Sequence, residues 1–293
     1  MKILFLIKSI QDQAHYNPFY KEASAMGVSL DVRLYHEICI KYVSNRQEIL
    51  VGDTPLSEYN LVFFYTVFNF EEIQIIISQY CLKNKIPVVD RVFQHDQPWI
   101  DRKSFEYAIL SQNKLPIIDS YFFSKKRWQL MVDKIDFPIV VKETDESQGR
   151  GVYLCQNVSE VSKLLKNSSK DFFIFQKYIK TNGDIRLFII GKKVIGSIKR
   201  QSKNAKEFRN NISLGGRGTL FEPQKTVKED ALKAASLLQY DISGVDFIYD
   251  EVNRAWKILE VNRAPQFDGF MKVTGINIPK LILDYLKKSA RPD

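Results

Sequence analysis

Cysteine and histidine are scarce in this chain of 293 residues, which has three of each. Cys39, Cys81 and Cys155 lie far apart, form no C-x-x-C and are odd in number. That excludes a disulfide framework and a thiolate zinc site, and it points to a reducing, cytoplasmic setting. His15, His36 and His95 are equally scattered, which argues against a transition-metal centre built on imidazole. A metal would then be held by oxygen, which favours Mg²⁺ or Mn²⁺. No apolar run reaches the roughly 18 residues a membrane span needs. The opening MKILFLIKSIQDQ has no small-residue cleavage site and reads as a first buried strand. No internal repeat or low-complexity segment is found. Neither a G-x-S-x-G nor a cysteine–histidine pairing appears, so no protein nucleophile is evident.

What is present is ordinary globular material, 45% hydrophobic and 26% charged, long enough for about two domains. The formal charge is +9. Such a surplus serves either a nucleic-acid surface or a cleft for an anionic small molecule or acidic peptide. Lysine and arginine are spread along the whole chain without a basic run, which argues against nucleic acid.

Short apolar runs alternate with helical stretches. KILFLI, VSLDVRLY, LVFFYTVF and IPVVD read as strands, and PFYKEASAMG and EEIQIIISQYCLKNK as helices. This rhythm predicts a small parallel-sheet α/β domain over residues 1–96. HDQPWIDR marks its end. The helix KSFEYAILSQNK and the strands LPIIDSYFF, FPIVVKE, GVYLCQ and FFIFQKYI follow, with a helix at 158–167. DIRLFIIGKKVIGSIKR reads as a hairpin turning at Gly191. GVDFIYDEVNRAWKILEVN reads as a second, turning near 251–254. VKEDALKAASLLQY and residues 277–288 have helical spacing. The domains expected are 1–96, 97–174 and 175–293.

Chemistry concentrates in the second hairpin. Glu260 and Asn262 are two apart on a strand and share a face. Strand pairing would bring Asp246 beside them. Two carboxylates and an amide oxygen make an all-oxygen set suited to Mg²⁺ carrying phosphates. Val245, Phe247, Leu259 and Val261 are expected on the opposite, apolar side, so the acidic face needs a neutralising partner, and a metal is the expected one. The QGRG stretch at 148–151 reads equally as a turn or as a nest of backbone N–H groups for an anion. Lys142, at the end of FPIVV, reads equally as a snorkelling surface residue or a phosphate ligand.

In their order along the chain, the strand lysine, the glycine loop, QKYI, DIR, EFRNN, GVD and LEVN closely resemble the ATP-grasp family. Within it they look most like the RimK-like branch of glutamate ligases that modify ribosomal protein and related carriers. The segments FPIVVKETDESQGRGVYL, DIRLFIIGKKVIGSIKR, EFRNNISLGG and VNRAPQFDGFMKVTGINI carry the likeness, over about 97–290. It implies an ATP-grasp fold of mixed α/β class behind the N-terminal domain. It also implies ATP and two Mg²⁺ or Mn²⁺ ions, and amide or peptide bond formation through an acyl phosphate. The substrate expected is a glutamate-like amino acid with a peptide, carrier protein or metabolite, and a homo-oligomer is an expectation.

Carried residue by residue, Lys103, Lys142, Gly149 and Gly151 would meet the ATP phosphates. Gln176, Lys177, Tyr178 and Ile179 would line the adenine slot, and Asp184 would hold the ribose. Arg209 and Asn211 would reach the phosphates and a metal, while Asp246, Glu260 and Asn262 would ligate the metals. Arg200 would face the γ-phosphate, with Lys142 and Arg209 adding catalytic positive charge. Arg263 and Lys272 are candidate contacts for a substrate carboxylate. Two alternatives stay open: a kinase acting on a hydroxyl, and a non-catalytic ATP-binding module with a nucleic-acid or protein partner.

Overall fold

The structure is a computed structural model that describes residues 1–9, 13–44, 46–67, 69–94, 102–144, 151–202 and 217–292, the side chains of 13–15 excepted. The chain starts with β1 (Lys2–Ile7), apolar and buried on both faces after its first residue, Lys2, as a central parallel strand requires. Helix α1 (Gln13–Ala25) and β2 (Ser29–Leu34) complete the first crossover, and β1 and β2 pair in parallel. The chain then departs from the expected rhythm. β3 (Ile38–Val43), β4 (Arg46–Val51) and β5 (Thr54–Pro55) form a separate antiparallel sheet. Tyr42 and Val43 lie exposed on it, so it carries little of the apolar alternation from which a strand is read. The parallel sheet resumes with β6 (Leu61–Phe64), α2 (Glu71–Lys83) and β7 (Val88–Val89), in the order β2-β1-β6-β7.

Helix α3 (Lys103–Gln112) leads into β8 (Ser120–Ser124), α4 (Trp128–Met131), β9 (Ile139–Glu143), β10 (Val152–Cys155), α5 (Val158–Asn167) and β11 (Phe172–Lys177). Their strands form an antiparallel sheet in the order β10-β9-β11-β8. One face packs on α4 and α5, where Phe123 stacks on Phe175 at 4.2 Å and Val161 and Leu165 close the core. The opposite face presents Lys142 and Ile174, which are cross-strand partners.

The last part runs β12 (Asp184–Ile190), β13 (Lys193–Gln201), β14 (Arg217–Leu220), α6 (Lys225–Leu238), β15 (Ile242–Asp250), β16 (Ala255–Arg263), α7 (Asp268–Thr274) and α8 (Ile278–Ser289). Its sheet order is β14-β13-β12-β15-β16. Both expected hairpins are present; α7 is an addition to the expected elements. Both faces of this sheet share cores with the N-terminal sheet. Leu4, Leu6 and Phe64 pack with Ile185, Leu187, Val245 and Val261, and Phe5 and Phe19 with Phe188, Phe267 and Ile282. On the other face of β12 and β15, Asp184, Arg186 and Asp246 are polar, flanked by apolar Phe188 and Ile242 at one end and Ile248 at the other. Among the described residues, no helix is long and apolar enough to cross a membrane.

Candidate active site

On β15 and β16, Asp246 is the cross-strand partner of Glu260, and Gly244 of Asn262. The Asn262 Nδ2 donates to Glu260 Oε1 at 2.9 Å and to Asp246 Oδ2 at 3.2 Å. The three expected ligands are therefore together. The neutralising partner of the acidic face, however, differs from expectation. Arg186 donates through Nε and Nη2 to the two oxygens of Asp246, each at 2.6 Å. Arg200 adds its Nη2 at 2.9 Å and gives its Nε to Asp184 Oδ1 at 2.6 Å. The strand register explains this, because Arg186 sits opposite Asp246 and Asp184 opposite Arg200. Burial pushes Asp246 upward, but the two guanidiniums outweigh it and hold its pKa below the usual carboxylate range. Burial raises Asp184 despite Arg200, and the charge of Asp246 adds to the rise.

Asp184 thus departs from the expected ribose contact. It is 3% exposed and committed to Arg200, so it shapes the site from within. Arg186 was not among the expected residues, although it lies in the quoted DIR, two positions after Asp184 and so on the same face.

The donor set fits a hard divalent cation. The side chain of Glu260 is 29% exposed and Arg186 stands 4.0 Å away, a distance that leaves room for a metal on the carboxylate. Asn262 offers its amide oxygen on turning about its last torsion, and Asp246 offers a lone pair beyond its arginine contacts. Among the described residues no three His, Cys, Asp or Glu side chains converge on one metal position.

A β-bulge follows the acids. The pairing shifts between Asp246 and Phe247, so Glu260 faces Asp246 while Ile258 faces Phe247, and Leu259 is left over on β16. Leu259 therefore leaves the apolar side where strict alternation places it. It packs instead with Ile118, Ile179 and Ile248, a small apolar cluster on the Asp246 face of β15. This cluster lies beside the acidic end of β16 and includes Ile179, one of the residues expected around the adenine. Tyr178 is half-buried and Lys177 exposed at its rim.

Across from the acids stands Lys142, 5% exposed, so the snorkelling alternative falls away. Burial pulls its pKa down to about 8, against the opposing pull of Glu260 and Glu106. Its Nζ donates to Tyr107 Oη at 3.2 Å. Gln176 is buried and donates to the same oxygen at 2.9 Å and to Ser120 Oγ at 3.0 Å, so its amide is turned to α3 and β8. Lys103 opens α3, and its charge reaches Tyr107.

Other expected residues lie elsewhere. Arg263 is a correction: its side chain is 7% exposed and is committed to the N-terminal sheet. It donates to Phe64 O at 2.7 Å and Tyr65 O at 3.4 Å and pairs with buried Asp90 at 3.4 Å. Lys272 is exposed on α7. Gly151 lies at φ 63° and its carbonyl accepts from Glu143 N at 2.8 Å, a turn at the root of β10. Gly149, Arg209 and Asn211 lie outside the described residues.

The model of the RimK-like ATP-grasp domain matches residues 101–286, which hold the whole of this constellation. The chain belongs to the RimK-like ATP-grasp family. Among curated relatives of this RimK-like chain is a probable alpha-L-glutamate ligase of Pseudomonas fluorescens (strain SBW25), 34% identical over 160 residues, 53% of this chain and 52% of the relative. The chain thus spans about half the length of the curated relatives it matches. Among solved structures, the ATP-grasp ligase PsnB complexed with minimal precursor superposes with a TM-score of 0.73 at 17% identity, covering 98% of both chains. A form with Mg and ADP scores 0.70 at 16% identity, over 98% of this chain and 97% of that one. A RiPP-associated ATP-grasp ligase of Chryseobacterium gregarium, in complex with ADP and a leader and core peptide, scores 0.73 at 14% identity, over 99% and 97%. These superpositions bear out the ATP-grasp fold and the N-terminal parallel sheet expected from the sequence.

Proposed function

We propose that this chain is an ATP-dependent carboxylate–amine ligase, forming an amide through an acyl phosphate with release of ADP. One observation carries the reading. A buried lysine on the central sheet stands in the field of Glu260, beside an apolar slot and opposite the set Asp246, Glu260 and Asn262. An apolar slot, a desolvated cation and oxygen ligands are what a purine, its phosphates and their metal require.

The substrate class follows the relatives' names, with a glutamate-like amino acid or a peptide or carrier protein as partner. In the reaction a substrate carboxylate attacks the γ-phosphorus of ATP and ADP leaves. An amine then attacks the acyl carbonyl and phosphate leaves. Bound Mg²⁺ would supply charge neutralisation on the phosphates, held by Glu260, Asn262 and the remaining lone pair of Asp246. The chain's own work is positioning and fixed charge. Ile118, Ile179, Ile248 and Leu259 exclude water around the base. Lys142 and Lys103 meet phosphate oxygens. Arg200, fixed by Asp184 and Asp246, presents its guanidinium to the transferring phosphoryl group. Arg209, Asn211 and Gly149 keep the roles the family likeness implies.

The test is a screen of amino acids and acidic peptides with Mg²⁺ and ATP, read by product mass. A product heavier by one amino acid less water, with stoichiometric ADP, is the expected result. ADP formed with a lone alcohol and no amine would replace the ligase reading with a kinase.

A further inference from the structure

The Tyr107 hydroxyl joins three elements at one oxygen. A tyrosine hydroxyl has one proton to donate and two lone pairs to accept with. Here the proton goes to the carbonyl of Leu259 at 2.7 Å. Leu259 is the extra residue of the bulge, so Tyr107 bonds the carbonyl at the point where the regular pairing of β16 with β15 breaks. With the proton directed there, both lone pairs face the central sheet. One accepts from Lys142 Nζ at 3.2 Å, the other from Gln176 Nε2 at 2.9 Å. The ring is buried, and the Lys142 ammonium lies 5.7 Å from its centroid, toward the hydroxyl end.

We infer that Tyr107 is a positioning residue that sets Lys142 against the metal-binding end of β16, a role that rests on the proposed nucleotide site. The residue after Leu259 is Glu260, so one hydroxyl ties the candidate phosphate cation to the backbone next to the candidate metal carboxylate. A buried ammonium has three protons to place. Tyr107 takes one and thereby fixes the direction of the others. Charged groups near this oxygen are Lys103 and Glu106 from α3, Lys142 from β9 and Glu260 from β16.

The test is a double-mutant cycle on the full chain, with Tyr107→Phe and Lys142→Met, read by titration of Mg·AMPPNP. Tyr107→Phe keeps the ring and removes the hydroxyl. Losing a hydrogen bond to a charged group predicts about ten- to hundredfold weaker binding in the Lys142 background. In the Lys142→Met background the same change should alter affinity by no more than about twofold, because the group it positions is gone. A role confined to folding would weaken binding equally in both backgrounds, and that result overturns the inference. So does a Tyr107→Phe variant that binds as the wild type does, while wild-type binding keeps the nucleotide site standing. A wild-type chain that binds no Mg·AMPPNP removes the site and the inference together. Should Tyr107→Phe not fold, Tyr107→His takes its place in the same cycle under the same criterion.

Discussion

Asp246 and Glu260 face each other as one candidate metal pair, yet they should respond very differently to neutralisation. Asp246 is fully buried and holds two guanidiniums, that of Arg200 buried and that of Arg186 largely so, with hydrogen bonds of 2.6, 2.6 and 2.9 Å. Asp246→Asn keeps the shape but removes the charge, and its amide nitrogen would turn a donor toward a guanidinium. Breaking a buried ion pair from one side costs about 3–5 kcal/mol, because the remaining charge is left uncompensated. At about 2–4 °C per kcal/mol for a chain somewhat smaller than this one, the melting temperature should fall by roughly 6–20 °C. Glu260 is partly exposed and, among the described residues, accepts a hydrogen bond from the Asn262 amide and lies 4.0 Å from the Arg186 guanidinium. Glu260→Gln should therefore cost no more than about 1 kcal/mol, as exposed pairs do. The assay is thermal and urea unfolding of both variants without nucleotide, followed by Mg·AMPPNP titration. Glu260→Gln should keep its stability and lose magnesium-dependent affinity. The sign with pH follows from the depressed pKa of Asp246. Its contribution is complete above the unfolded carboxylate pKa and is lost as pH falls through the folded value. If Asp246→Asn melts with the wild type, the arginine network is not what neutralises this face, and the reasoning fails.

Further outcomes follow from other groups. With Lys142 pulled down to about 8, its charge is lost as pH rises through that value; nucleotide affinity should fall about tenfold between pH 7 and 9, and Lys142→Arg should flatten that limb in a titration series. Burial raises Asp90 to about 6, so its contribution to stability is complete below the unfolded pKa and is lost as pH rises through the folded one; Asp90→Asn should remove roughly 3 kcal/mol of that pH dependence between about pH 4 and 6, read by urea unfolding. Gly183 lies at φ 129°, where an added Cβ would sit 2.3 Å from the Arg200 carbonyl oxygen; Gly183→Ala should cost at least about 2 kcal/mol and weaken Mg·AMPPNP binding, since it displaces the strand that carries Arg200.

By itself, the order of residues along the chain determined most of the strands and helices, both closing hairpins and the grouping of Asp246, Glu260 and Asn262. The reason is that alternation and helical spacing report which face of an element is buried, and residues two apart on a strand share that face. Family membership was legible for a related reason, because the motifs fall in one order. Tertiary structure alone decided the rest. That Arg186 and Arg200 neutralise Asp246 depends on the register of β12 between β13 and β15, which no local pattern encodes. Arg263, next to a metal ligand in sequence, turns to the N-terminal sheet because its strand ends against β6. The antiparallel sheet at 38–55 stayed hidden because little of it is buried. Tyr107 gave no signal in the sequence, since its role exists only where one extra residue in β16 places a backbone carbonyl within reach of a helix 152 positions earlier.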